Sequence, residues 1–181
     1  MTRYAAFLRG INLGNRRPKM DALRGHFEAV PGVADVATFL ASGNVVFDHS
    51  GSEDATVLEA TLEDHLERAL GYDVDTFVRP LPALARIPEL EALDGVRDQG
   101  FNPHVIFLRH APGEAVGGAL AALETRDDRF HVAGREVLWL RRGRLSDSSI
   151  DQKALERALG GLANTMRNLN TVERLVAKFG A

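Results

Sequence analysis

Val33-Ala34-Asp35-Val36-Ala37-Thr38-Phe39-Leu40, then Ser42-Gly43-Asn44, then Val45-Val46-Phe47 is the stretch whose reading decides the fold. Val33 to Leu40 and Val45 to Phe47 read as strands, and Ser42-Gly43-Asn44 as the tight turn between them. A glycine in that turn supplies the positive φ that hairpin turns require. Upstream, Tyr4 to Leu8 is a short apolar run with the length of a strand. The Gly, Asn and Pro of Gly10 to Pro18 predict a loop. Met20, Leu23, Phe27 and Val30 recur at helical spacing until Pro31-Gly32 stops them. Downstream, Leu58, Leu62, Leu66 and Leu70 form a helical stripe closed by Gly71. Val74, Thr76 and Val78 then alternate within Asp73 to Arg79, a fourth strand. Strand, helix, strand, strand, helix, strand is the ferredoxin-like βαββαβ unit.

Beyond Pro80 the pattern begins again. Residues 81–102, with Pro82, Pro88 and Gly95, read as a linker of short helices. Val105 to Leu108 is a strand and Glu114 to Leu123 a helix. Phe130 to Ala133 and Glu136 to Leu140 are strands joined at Gly134-Arg135. Asp151 to Leu159 is a helix, with Ser149 as its cap and Gln152 completing a capping box. A terminal helix starts near Thr171, capped by Asn170 with Glu173 reaching back. The expected fold is α+β: tandem ferredoxin-like units, the first in residues 1–80 and the second, βαββα plus a terminal helix, in residues 103–181. The element order carries this duplication, because the halves share no obvious sequence identity.

The 181 residues are 45% hydrophobic and 26% charged, enough for a core without a disordered tract. The formal net charge of -3 gives no global attraction to phosphate polymers. With no cysteine, disulfide scaffolds, thiolate zinc sites and cysteine nucleophiles are excluded. The apolar run at the N-terminus is broken by Arg9, too short for a signal peptide or a membrane helix, so the expected location is cytoplasmic.

In a ferredoxin-like unit the loop after the first strand and the hairpin between the second and third share one sheet edge. That places Arg9, Gly10 and Asn12 beside Ser42, Gly43 and Asn44. Loops on a rigid sheet commonly carry binding groups. A third segment, Asn164 to Thr171, is rich in amides and hydroxyls and is expected to open a helix, whose N-terminus favours anions. Its Arg167 and Asn168 complete the expected site, with Arg167 offering a fork of donors to phosphate or carboxylate. The same residues also suit turn and cap chemistry alone.

These residues carry a resemblance. Leu8-Arg9-Gly10-Ile11-Asn12-Leu13-Gly14 with Met20 and Leu23, then Thr38 and Ser42 to Phe47, then Thr165, Arg167, Asn168 and Thr171, resemble the family numbered 1697 among domains of unknown function (DUF1697). The resemblance implies an α+β fold of ferredoxin-like type and no particular activity. The chain departs from the family pattern at Asn15, where a second glycine is usual, in Phe39-Leu40-Ala41, where a more polar run is usual, and at Leu169, where a tryptophan is usual.

Familiar chemistries do not match. Gly14-Asn15-Arg16 lacks the ending of a Walker loop, and the dinucleotide fingerprint spaces its glycines differently. His26, His49, His65, His104, His110 and His131 form no ligand pair at helical spacing, so no metal site is expected. Ser42 lies in no nucleophile elbow. The first expectation is therefore a small anionic ligand held by Arg9, Gly10, Asn12, Ser42, Gly43, Asn44, Arg167 and Asn168, with no cofactor or reaction named. The second is nucleic-acid contact through Arg135, Arg141, Arg142 and Arg144 or Arg16, Arg17 and Lys19. The third is a protein-interaction scaffold in which all these residues are structural.

Overall fold

The computed structural model describes residues 1–11, 17–40, 43–51 and 54–180. The chain divides into two compact units: Met1–Ala85 together with Leu175–Ala181, and Arg86–Arg174. Each holds a four-stranded antiparallel sheet in βαββαβ order, so the fold is a pair of tandem ferredoxin-like units ending in a C-terminal helix.

The first unit contains β1 (Thr2–Leu8), α1 (Met20–Glu28), β2 (Val33–Thr38), β3 (Asn44–His49), α2 (Ala55–Leu70) and β4 (Thr76–Pro80), followed by the short α3 (Leu81–Ala85), with sheet order β2-β3-β1-β4. Alternate strand residues Tyr4, Ala6, Leu8, Val45, Phe47 and Val78 bury against Leu23 and Phe27 of α1 and Leu58, Leu62 and Leu66 of α2. The intervening residues Ala5, Phe7, Val46 and Phe77 are buried too, so neither face of this sheet reads as an open platform. The leucine stripe forms α2 because both ends are stopped chemically. The Asp54 carboxylate accepts the Thr56 N–H at 2.8 Å, and Gly71 closes the helix at φ +77. The hairpin is longer than a two-residue turn. Phe39 N–H donates to the Asn44 carbonyl at 2.9 Å, which closes the hairpin at that pair. β2 carries one extra residue between Ala34 and Ala37, absorbed as a bulge with Asp35 at φ +47.

β4 is an edge strand, and its outward side is sealed. Glu63 accepts the Thr76 N–H at 2.7 Å and Glu59 accepts the Val78 N–H at 2.8 Å. Four helical residues rise about 6 Å and two strand residues about 6.6 Å, so carboxylates at i and i+4 match N–H groups at i and i+2. The next outward position is Pro80, which has no N–H to satisfy. Glu59 is fully buried and also receives Arg79 Nη1 at 3.2 Å.

The second unit contains β5 (Phe101–Leu108), α4 (Glu114–Ala121), β6 (Asp128–Ala133), β7 (Glu136–Arg142), α5 (Gln152–Ala158) and β8 (Asn164–Asn168), in sheet order β6-β7-β5-β8, and α6 (Leu169–Phe179) follows β8. Ile106, Leu108, Val137 and Trp139 bury against Val116, Leu120, Leu155 and Leu159. Three local readings are corrected. Asn164–Asn168 is a strand and does not open a helix, so the second unit completes the βαββαβ pattern. α5 is capped by Asp151, whose carboxylate accepts Ala154 N–H at 2.6 Å, in place of Ser149. At the start of α6, Asn168 Oδ1 accepts Asn170 N–H at 2.8 Å, and Glu173 turns to Arg97 instead of reaching back.

The units repeat in detail. Leu8 N–H donates to the Gly43 carbonyl at 2.8 Å and Arg9 N–H to the Asp75 carbonyl at 2.9 Å. Leu108 N–H donates to the Arg135 carbonyl at 2.8 Å and Arg109 N–H to the Ala163 carbonyl at 3.0 Å. The match aligns Phe7-Leu8-Arg9 with Phe107-Leu108-Arg109, a three-residue identity that escapes notice in the sequence because nothing around it is alike. Leu8 pairs with Thr76 and Leu108 with Asn164, so Arg79 and Arg167, each three residues further on, occupy equivalent places.

Candidate functional site

Four of the expected site residues meet in the first unit. Arg9 and Gly10 leave the end of β1, and the hydrogen bond from Leu8 to the Gly43 carbonyl ties that end to the hairpin. Gly10 sits at φ +77 and Gly43 at φ +72. At Gly43 the conformation and the space both demand glycine. A Cβ there would lie 2.9 Å from Ile11 Cγ2 and 3.2 Å from Leu8 Cβ. Ile11 is buried beneath the hairpin, so the two loops share one packed base. Asn44 takes a different part from the expected one. It is fully buried, and its Nδ2 donates to the Phe39 carbonyl at 3.0 Å, which shapes the hairpin from inside. Asn12 and Ser42 lie outside the described residues. Toward β4 the edge turns acidic, with a cavity of about 240 Å³ lined by Glu63, Asp64, Glu67, Asp73 and Asp75. Among the described residues no group of three or more His, Cys, Asp or Glu is placed to hold a metal ion.

Arg167 and Asn168 belong to the second unit, on edge strand β8. Arg167 Nη1 donates to Thr165 Oγ1 and to the Met166 carbonyl, both at 2.9 Å. Burial desolvates the guanidinium and pushes its pKa down to about 10, so it still carries its charge at neutral pH. Arg79 makes the same backward bond, Nη1 to the Val78 carbonyl at 2.8 Å, so this is a habit of the fold at that strand position. Asn168 spends its side-chain oxygen on Asn170.

The expected arginine surface is only partly a surface. Arg141 is 7% exposed and donates through Nη1 to Asp128 Oδ2 at 3.0 Å. Asp128 also receives Trp139 Nε1 at 3.0 Å, Ser148 Oγ at 3.0 Å and Thr125 Oγ1 at 2.9 Å. This polar node inside the second unit is not legible in the sequence, where nothing distinguishes Asp128 from its neighbour Asp127. Only burial separates the two: Asp127 faces Arg126 and Arg142 outside, and Asp128 points in. The Arg142 guanidinium lies 4.7 Å from the centre of the Phe101 ring, and Arg129 lies at the same distance. Glu59 and Arg79 were missed too, although Glu59 and Glu63 beside the stripe of Leu58 and Leu62 mark a helix face that carries paired carboxylates.

The repeated antiparallel units, with no metal cluster among the described residues and a packed two-loop edge in the first, define a tandem ferredoxin-like α+β protein. Residues 1–138 match the family described as "Protein of unknown function (DUF1697)", and the chain belongs to that family. Among solved structures, the conserved bacterial protein SP0830 from Streptococcus pneumoniae is similar in fold, with a TM-score of 0.73 and 20% identity over 100% of this chain and 99% of its own. The N-terminal soluble domains of Bacillus subtilis CopA align over 92% of both chains at 13% identity and a TM-score of 0.29, a likeness too slight to carry anything over. No curated protein matches. Among the described residues no helix is long and apolar enough to cross a membrane.

Proposed function

We propose that the protein binds a small anionic ligand at the loop edge of the first unit, with Arg9 as the cation and Gly10 and Gly43 giving the ligand close access to the backbone. The observation that carries this reading is the fit at Gly43. The Arg9-Gly10-Ile11 turn and the hairpin are locked by a backbone hydrogen bond and by a contact that admits no side chain. Two loops fixed in this way hold donors in place before a ligand arrives, which lowers the ordering cost of binding. Asn12 and Ser42 belong by sequence to the same two loops and are the side chains we assign to orienting the ligand. The acidic cavity beside β4 repels an anion, so the ligand takes the hairpin side of the edge. Arg167 and Asn168 are not needed for this site. The absence of cysteine fits a reducing compartment, and we place the protein in the cytoplasm.

Thermal-shift measurements with inorganic phosphate, pyrophosphate and citrate test the reading in wild type and Arg9→Ala. A ligand at a hundredfold excess over its Kd stabilises the folded state by about 2.7 kcal/mol. At least one of these anions is expected to raise the Tm of wild type, and that rise is expected to vanish in Arg9→Ala at unchanged ligand-free Tm. An equal rise in both proteins removes Arg9 from the site and ends the proposal.

A further inference from the structure

The second unit carries a polar cavity at the end of its sheet opposite Leu108 and Asn164. The β5–β8 ladder stops where His104 faces Asn168, whereas Phe101 to Pro103 continue beside β7 alone. There the chain leaves β8 for α6, and a cavity of about 340 Å³ occupies the place where β8 would have continued. Arg97, Asn102, Asn168 and Asn170 line it, above a floor of Gly100, Phe101 and Pro103. The volume lies within the range of small-molecule sites, roughly 300–1,000 Å³.

The side-chain amides are each held at one end by the protein. Asn102 Nδ2 donates to the Gly143 carbonyl at 2.9 Å, so Oδ1 remains as an acceptor. Asn168 Oδ1 accepts from Asn170 N–H, so Nδ2 remains as a donor. Asn170 Oδ1 accepts Arg97 Nη2 at 2.9 Å, leaving its Nδ2 as a second donor. One fixed hydrogen bond on each amide settles which way round it lies and leaves the other end unspent. The one charge in the lining is already met, because Arg97 Nη2 pairs with Glu173 Oε2 at 2.7 Å. Arg129 and Arg142 engage the Phe101 ring, and Arg142 has Asp127 at 3.8 Å. The cavity therefore offers oriented donors and an acceptor with its charge balanced. Hydroxyl groups, each both donor and acceptor, complement that set, and the one charge in the lining is already paired with Glu173.

We propose that this cavity binds a small neutral polyhydroxylated ligand of about monosaccharide size, with Asn168 and Asn170 donating to its oxygens and Asn102 accepting from a hydroxyl. The place is built into the fold. In the first unit the chain likewise leaves β4 at Pro80 for α3, and a cavity of about 600 Å³ opens there beside the start of β1. That one is lined largely by Met1, Leu81, Pro82 and Phe179, so only the second unit fills the gap with amides.

The test follows the side-chain amide NMR signals of Asn102, Asn168 and Asn170 while D-glucose or D-ribose is added to the whole protein, with D-glucuronate and inorganic phosphate as charged arms. At least one neutral sugar is expected to move all three signals with a saturable, millimolar Kd. Asn168→Ala and, separately, Asn102→Ala are expected to weaken that sugar about tenfold, the worth of one lost hydrogen bond. Asn102 is exposed, and its variant keeps the test open should Asn168→Ala lose the start of α6. No movement with either sugar overturns the proposal, and so does binding unchanged in both variants. Tighter binding of phosphate or glucuronate than of the neutral sugars overturns it as well, by contradicting the balanced charge.

Discussion

Arg79 and Arg167 stand at the same strand position in two copies of one fold, Arg79 buried and Arg167 half-buried. In the first unit Glu59 reaches from α2 and meets both the guanidinium and a strand N–H. In the second, α5 is a seven-residue helix where α2 has sixteen, and Arg167 Nη1 turns to the Thr165 hydroxyl and a carbonyl. The second unit also holds a buried carboxylate, Asp128, whose node joins β6, β7 and the segment after β7. The sixteen-residue α2 lays two carboxylates along the edge strand β4. A duplicated backbone thus does not require duplicated polar chemistry, provided each buried polar group finds some partner.

The largest effects test whether the two anchors are equivalent. Glu59→Ala and Asp128→Ala each strand a buried arginine and are expected to cost about 3–5 kcal/mol. Rescue is where they differ. Arg79→Met added to Glu59→Ala recovers part of the loss, since it removes the stranded charge and leaves the Val78 N–H without its acceptor. Arg141→Met added to Asp128→Ala recovers less, because Trp139 Nε1, Ser148 Oγ and Thr125 Oγ1 all remain without their acceptor. Urea unfolding followed by circular dichroism, together with the emission of Trp139, the only tryptophan, measures both. Equal rescue in the two units would break the comparison.

A smaller contrast lies in the hairpins. Gly43→Ala meets a left-handed φ and a 2.9 Å contact, whereas Gly134→Ala meets φ +63 with nothing within 4 Å. The left-handed conformation alone costs about 1–2 kcal/mol for an alanine. Gly134→Ala is expected to show that cost and no more, and Gly43→Ala clearly more, read as the difference in urea midpoints.

The smallest effect is a pH dependence confined to the second unit. Burial lowers the His104 pKa, and the bond from Nδ1 to the Asn102 carbonyl opposes it less strongly. The folded state therefore binds the proton less readily than the unfolded chain. Stability is greatest above the ordinary histidine range and falls as pH drops through it toward the lower folded value. Replacing His104 with Gln should flatten the Tm profile between neutral and mildly acid pH, and an unchanged slope would assign it to another group.

Much of this architecture is legible in the sequence, because strand and helix periods, Gly71 and the hairpin glycine each act locally. β8 was not. Asn164-Thr165-Met166-Arg167-Asn168 has neither apolar alternation nor β-branched density, and only its pairing with Phe107 and Val105 makes it a strand. The loop edge could be read from topology, but the inward turn of Asn44 could not, since a buried amide and a ligand-facing amide look the same in sequence. The cavity beside Asn168 was out of reach for a similar reason. Arg97 and Asn102 sit in what reads as a linker, and only the third dimension brings them to Asn168 and Asn170.

One feature of the partition bears on how the protein is made. The first unit includes Leu175 to Phe179, where Phe179 meets Phe39 edge-on at 5.9 Å and Lys178 lies over both rings. Those residues are synthesised after the whole of the second unit. On the ribosome the earlier half therefore waits, lacking its final helical turns, while the later half acquires all its strands. The last piece of the first unit arrives only after every strand of the second, so the half that begins first is the half that closes last.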